Sequence, residues 1–216
     1  MVRVCRGFEV HLKKALMKNL LYLFFALASF EISAQTTAEE YLNSAVSKFY
    51  LNDITDAIVD YTKAIEIDPN YVEAYRKRGL AKETLKDFSG AIVDYTKAIE
   101  INPDYAPAYR DRGFAKDKLK DFSGAISDYT KAIEIDPNYA PAFHDRGITK
   151  GKLKDHSGLI ADCTKAIEID PNYATAYFNR GVSKFYLGDM TGACNDARTA
   201  QELGDDASIL IKKACN

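Results

Sequence analysis

An all-helical stack of repeated hairpins is the fold class this chain predicts, and three observations predict it. Pro69, Pro103, Pro137 and Pro171 stand thirty-four residues apart. Around each the same text recurs: YTKAIEIDPNY at 61–71, YTKAIEINPDY at 95–105, YTKAIEIDPNY at 129–139 and CTKAIEIDPNY at 163–173. Between prolines lie two segments of helical periodicity. A repeat of this period describes a stack of small units rather than a pocketed globule, and such stacks display and bind more often than they catalyse.

The first 34 residues differ from the rest. Lys13, Lys14 and Lys18 precede the apolar run LLYLFFALASF at 20–30, and EISAQ follows. A positive stretch, a short apolar core and a small residue are the order of a secretory signal, here 1–34 with cleavage expected after Ala34. Eleven apolar residues fall short of the roughly 20 that span a bilayer. An uncleaved leader is the alternative, and the only membrane contact expected. Residues 1–16 make a long lead, and Met17 is an alternative start. The whole chain carries a net charge of −2, and 35–216 hold 24 positive and 29 negative side chains, net −5. Both signs are spread through every unit, so no basic stripe offers itself to phosphate and no nucleic-acid partner is expected.

The array is expected over 35–207. Its units run 38–71, 72–105, 106–139, 140–173 and 174–207. In the second, Tyr75, Gly79, Lys82 and Leu85 share one helical face. After Lys86-Asp87 a second helix carries Ala91, Tyr95 and Ala98, with Ile92 and Ile99 beside them. Asn102-Pro103 ends it, because the residue before proline avoids the helical region. Gly79, Gly113, Gly147 and Gly181 recur where helix axes approach, as do Ala57, Ala91, Ala125 and Ala193. Tyr75, Tyr109, Phe143 and Tyr177 fill the space opposite.

These residues, an aromatic, a glycine, two alanines and a proline at their expected offsets over five units from 38 to 207, with Asp205 in place of the proline in the fifth, resemble the tetratricopeptide repeat. The resemblance implies a right-handed superhelical solenoid of five helix-turn-helix units whose first helices line a concave groove. Unit one has Ser44-Ala45 where later units have Arg-Gly. Unit four carries Leu159, His156 and Cys163 in place of alanine, an aromatic and tyrosine, which predicts a splayed or rotated hairpin. Thr37-Ala38-Glu39-Glu40 reads as a capping box for the first helix. Ala207, Leu210, Ile211 and Ala214 make an apolar face, so a capping helix is expected to end in 208–216.

Charges repeat beside the packing stripe. Arg78, Arg112, Arg146 and Arg180 lie on the first helices, with Lys82, Lys116, Lys150 and Lys184 one turn later. The second helices supply Asp60, Asp94, Asp128, Asp162 and Asp196. Buried charge is costly unless paired, so a ladder is expected, the alternative being a solvated row. Unit one lacks the arginine, which favours pairing between units: Asp60 with Arg78, and so on, leaving Asp196 to Lys212 or Lys213. Cys163 reads as a small buried apolar residue. Cys194 and Cys215, on the last hairpin and on its cap, are expected to form a disulfide in an oxidising, exported setting, the alternative being two buried thiols.

No metal-ligand spacing, phosphate loop or nucleophile motif stands out among three histidines and four cysteines, so no metal, cofactor or catalytic residue is expected. The groove implied by the resemblance would present Arg76, Leu80 and Glu83; Arg110, Phe114, Asp117 and Lys118; His144, Ile148 and Lys152; and Phe178, Val182 and Tyr186. Leu80, Phe114, Ile148 and Val182 form an apolar track flanked by mixed charge, suited to a protein or peptide segment. Apolar residues occupy the positions where chaperone-tail binders of the family carry asparagine. The expected function is an exported, non-enzymatic scaffold of the periplasm or cell envelope, or else a targeting subunit for a separately encoded envelope enzyme.

Overall fold

A computed structural model describes residues 37–215. The leader assigned to 1–34, the alternative start at Met17 and the final residue lie outside the described residues. The chain forms two compact units that divide between Ala74 and Tyr75. The described residues hold no strand. Their helices are α1 (37–50), α2 (Ile54–Ile67), α3 (Val72–Thr84), α4 (Phe88–Ile101), α5 (Ala106–Lys118), α6 (Phe122–Ile135), α7 (Ala140–Lys152), α8 (His156–Ile169), α9 (Ala174–Tyr186), α10 (Met190–Glu202) and α11 (Ser208–Ala214). Residue 37 is already helical, so Thr37 lies inside α1 instead of capping it.

Local chemistry sets the ends of these helices. Asp87, Asp121, Asp155 and Asp189 cap α4, α6, α8 and α10, each carboxylate accepting from the N–H of a glycine three residues on, at 2.8–3.0 Å. The glycine leaves space for the cap: a Cβ on Gly124 would stand 2.1 Å from Asp121 Oδ2. At the other end, Asp68, Asn102, Asp136 and Asp170 turn extended before their prolines. Each side chain then accepts the N–H two residues on, at 3.0–3.1 Å, an Asx turn that fixes the start of the next hairpin. Inside each hairpin the chain reverses through a residue of positive φ, Asn52, Lys86, Lys120, Lys154 or Gly188.

In the first unit, the fully buried Ala45 and Ala57 and the buried Leu42, Ile54 and Tyr61 make the core. In the second, α6, α8 and α10 pack against the first helix of their own hairpin, and α4, α6, α8 and α10 against the helix that follows. The first helices also touch one another, α5 with α7, α7 with α9 and α9 with α11, whereas α4, α6, α8 and α10 do not. First helices that close together place themselves on the inside of the curve. Alanine makes the tight contacts possible: Ala91, Ala98, Ala115, Ala125, Ala132 and Ala166 are fully buried. Tyr95 and Tyr129 are buried with them, each lying on the glycine of the partner helix. A Cβ on Gly79 would meet Tyr95 Cε1 at 2.6 Å, and one on Gly113 would meet Tyr129 Cε1 at 2.8 Å.

The fourth hairpin is not splayed. Leu159 takes the alanine position and reaches across to Gly151, where a Cβ would stand 2.6 Å from its Cδ1. The equivalent of Gly151 in the second hairpin is Glu83, which accepts from the Tyr95 hydroxyl at 3.1 Å. Tyrosine and acid are thus both replaced, by Cys163 and Gly151, and one leucine fills the space they leave. The ion pair that spans the hairpin, Arg146 to Asp162 at 2.7 Å, keeps the length of its neighbours. α11 covers the last hairpin through Leu210 and Ala214, which join Ala193, Cys194, Ala197 and Ala200 in one buried cluster.

Candidate functional site

Two ladders of charge organise the first helices of the second unit. The outer one crosses each hairpin. Arg78, Arg112, Arg146 and Arg180 donate through Nη2 to Asp94, Asp128, Asp162 and Asp196 at 2.6–2.7 Å. The lysine one turn later reaches the same carboxylate at 2.7–2.8 Å: Lys82, Lys116, Lys150 and Lys184. The pairing assigned between units is therefore within them. Asp196 meets Arg180 and Lys184 of its own hairpin. Asp60, lacking an arginine in its own hairpin, accepts from Ser44 at 2.7 Å and Lys48 at 2.5 Å. Arginine does link hairpins, but through threonine: Arg112, Arg146 and Arg180 reach Thr96, Thr130 and Thr164 of the preceding one at 3.1–3.2 Å. Each guanidinium also lies 5.4–5.6 Å from the ring of Tyr75, Tyr109, Phe143 or Tyr177, a contact favoured by the ring quadrupole.

The second ladder runs along the inner face and joins successive hairpins. Arg76 donates to Asp111 at 2.8 Å, Arg110 to Asp145 at 2.7 Å, and Asn179 meets His144 at 3.1 Å. Lys152 and Thr149 close on Asp117, the hydroxyl at 2.9 Å. Arg76, Arg110, Asp117, His144 and Lys152, assigned to a ligand, are thus already engaged with one another's hairpins. Asp111, Asp145, Thr149 and Asn179 escaped the sequence reading, although each stands 32 or 35 residues from its partner, a recurrence that could have found them. Among the described residues no buried side-chain polar atom lacks a partner, so the ladders carry no unsatisfied group of the kind that destabilises cores.

Burial and pairing oppose each other along this face. Burial raises Asp111 above the usual carboxylate range despite Arg76 and Arg110. For Asp145 burial acts the same way, but the His144 hydrogen bond and Arg110 outweigh it, and its pKa falls. Glu83 stands apart: burial pushes it up to about 7, and the Tyr95 hydrogen bond, Arg110 and Lys118 only partly offset that.

Leu80, Phe114, Ile148 and Val182 are half-buried on the first helices. Lys118 Nζ lies 4.6 Å from the centre of the Phe114 ring. The character of the face changes at its C-terminal end. There Phe178, Val182, Phe185 and Tyr186 of α9 and Ile209 and Leu210 of α11 wall a cavity of about 230 Å³ with Asp206 and Lys213 at its rim. His156 stacks on Tyr186 at 5.1 Å and faces Ser183, while Cys163 is fully buried with Leu159 and Ala166. The wall of this cavity is fastened to its hairpin by the Cys194–Cys215 disulfide, whose sulfurs are 2.08 Å apart. Among the described residues no cluster of His, Cys, Asp or Glu could hold a metal ion, and no helix is long and apolar enough to cross a membrane.

Paired helices repeated at one period, an inner face of first helices and a closing helix define a helical-repeat solenoid. The residues at the repeating positions narrow that class. A family model described as "TPR repeat" matches 47–86, and one described as "Tetratricopeptide repeat" matches 72–105 and 106–139. Residues 47–139 thus carry tetratricopeptide repeats. The crystal structure of MamA is 26% identical, covering 74% of this chain and 93% of that one with a TM-score of 0.67. The first TPR of Spaghetti (RPAP3), bound to the HSP90 peptide SRMEEVD, is 28% identical over 56% of this chain and 95% of its own, with a TM-score of 0.54. PilF of Pseudomonas aeruginosa, 16% identical and covering 82% of each chain, shares the fold with a TM-score of 0.76. No curated protein matches the chain in sequence.

Proposed function

We propose that the chain is an exported, non-enzymatic scaffold that holds a segment of another protein against the inner face of residues 75–215. The observation that carries this reading is the division of labour on that face. Its charged side chains are largely spent on joining hairpins, which keeps the first helices in fixed register. The half-buried Leu80, Phe114, Ile148 and Val182 and the cavity beyond them remain to be covered. A preorganised face of this kind loses little entropy when a segment lies down on it. The peptide-bound tetratricopeptide structure similar to this chain supports the same use. Export is supported by the leader at 1–34 and by the Cys194–Cys215 disulfide, which suits an oxidising compartment.

Affinity capture from an envelope fraction, read by mass spectrometry, tests the proposal. Phe114→Ala should lower capture of the principal partner at least about tenfold, the loss of one well-packed anchor, with the helical melt little changed. Undiminished capture would show that the inner face is not the site. Arg110→Glu is unsuitable as a probe. It would strip Asp145 of its arginine and set a further acid beside Asp111, which keeps only Arg76, and so disturb the face it is meant to probe.

A further inference from the structure

One acid on the inner face is left open. Asp111, Asp117 and Asp145 each meet a cation from the adjoining hairpin. Among the described residues Glu83 meets none: its side chain, partly buried on α3, accepts the Tyr95 hydroxyl. The pattern of the next hairpin shows what is missing. Asp117, at the same repeat position, is closed by Lys152, thirty-five residues on. The corresponding residue for Glu83 is Lys118, and that ammonium lies over the Phe114 ring instead.

Resting on the reading of this face as a binding surface, we propose that Glu83 receives a positively charged side chain, lysine or arginine, of the bound segment, with apolar neighbours of that residue on Leu80 and Phe114. The argument is one of charge complementarity. A carboxylate drawn out of water gains most from a cation brought to it in the same partly dry environment. The Tyr95 hydroxyl already holds one oxygen, so the group is oriented before the ligand arrives. Leu80 lies three residues before Glu83 and therefore on the same face of α3. Phe114 stands on α5, the next first helix, so a cation at Glu83 is bordered by apolar surface on both.

The charged and titratable groups that face Glu83 are Tyr95 from α4 and Asp111, Arg110 and Lys118 from α5. Burial holds its carboxyl at about 7, so a ligand cation must bind the ionised form and expel a proton. From that pKa, linkage makes binding weaken about tenfold between about pH 8 and about pH 6.

The test uses the complete chain, wild type and Glu83→Gln, on an immobilised array of blocked octapeptides of varied sequence at both pH values. Glutamine keeps an oxygen for the Tyr95 hydroxyl, and matched thermal melts establish that the variant is folded. The expected result is enrichment of peptides with Lys or Arg beside an apolar residue, the tenfold loss at the lower pH, and disappearance of both in Glu83→Gln while apolar peptides still bind. Peptide binding without a basic preference, or a preference that survives in Glu83→Gln, overturns the inference and leaves the groove reading standing. Absence of binding to either protein overturns both.

Discussion

At the scale of single residues, exposure decides which charges matter. Asp128 is nearly out of water at 6% side-chain exposure, while the surface pair Lys131–Glu134 is about half exposed. Arg112→Met should therefore cost about 2 kcal/mol in urea unfolding, Lys116 still covering part of the stranded carboxylate. Lys131→Met should cost no more than about 0.5 kcal/mol; equal losses would contradict the ladder. Cys163 is fully buried, and burial pushes its thiol up to about 12. It should resist alkylation at about pH 8 until the chain unfolds. Restoring tyrosine there is not a repair, because Leu159 already fills the space. Cys163→Tyr should lose about 2 kcal/mol by overpacking, and Leu159→Ala in the same chain should recover most of it, which a double-mutant cycle reads directly. Glu83 supplies a pH signature. Its folded pKa lies above the usual carboxylate value, so the stability it contributes is full below the unfolded pKa and is lost as pH rises through about 7. Glu83→Gln should gain on the wild type as pH climbs across that window, and a constant gap would refute the assignment.

At the scale of the element, α11 is the piece most dependent on a covalent link. Seven residues make a marginal helix, and it is held by Leu210, Ala214 and the disulfide. The bridge closes 21 residues of sequence separation, for which the chain-entropy estimate is about 3 kcal/mol. Reduction should release protection of the α11 amides in hydrogen exchange while α5 and α6 stay protected. Uniform loss across the array would mean that the cap is integral to every repeat. The aspartate caps predict a different pattern: Asp121→Ala should cost about 1 kcal/mol, localised to α6. Legibility at this scale was uneven. The helices and the glycine contacts follow from period and side-chain size. The direction of the ladder did not, because Arg112 stands sixteen residues before Asp128 and eighteen after Asp94. Helical periodicity says which face a charge occupies but not which of two flanking helices it meets. The missing arginine of the first hairpin misled for a physical reason, since a serine hydroxyl and a lysine satisfy Asp60 equally well.

At the scale of the molecule, the second unit is a stack whose energetics run from neighbour to neighbour, and its two ladders are the visible form of that coupling. Its inner face is polar and self-paired around α5 and α7 and apolar at α9 and α11, a gradient that the repeat period hides because it lies in the residues that differ between copies. The apolar track could be read from sequence by carrying a family pattern onto these positions. The paired state of its flanking charges could not, since it depends on how closely successive first helices approach. The central claim is that this inner face holds the partner. Hydrogen exchange on the complex with the captured protein tests it most directly: amides of α3, α5, α7 and α9 should gain protection while those of α4, α6 and α8 remain as in the free chain. Protection confined to the second helices would place the partner on the outer surface and contradict the account.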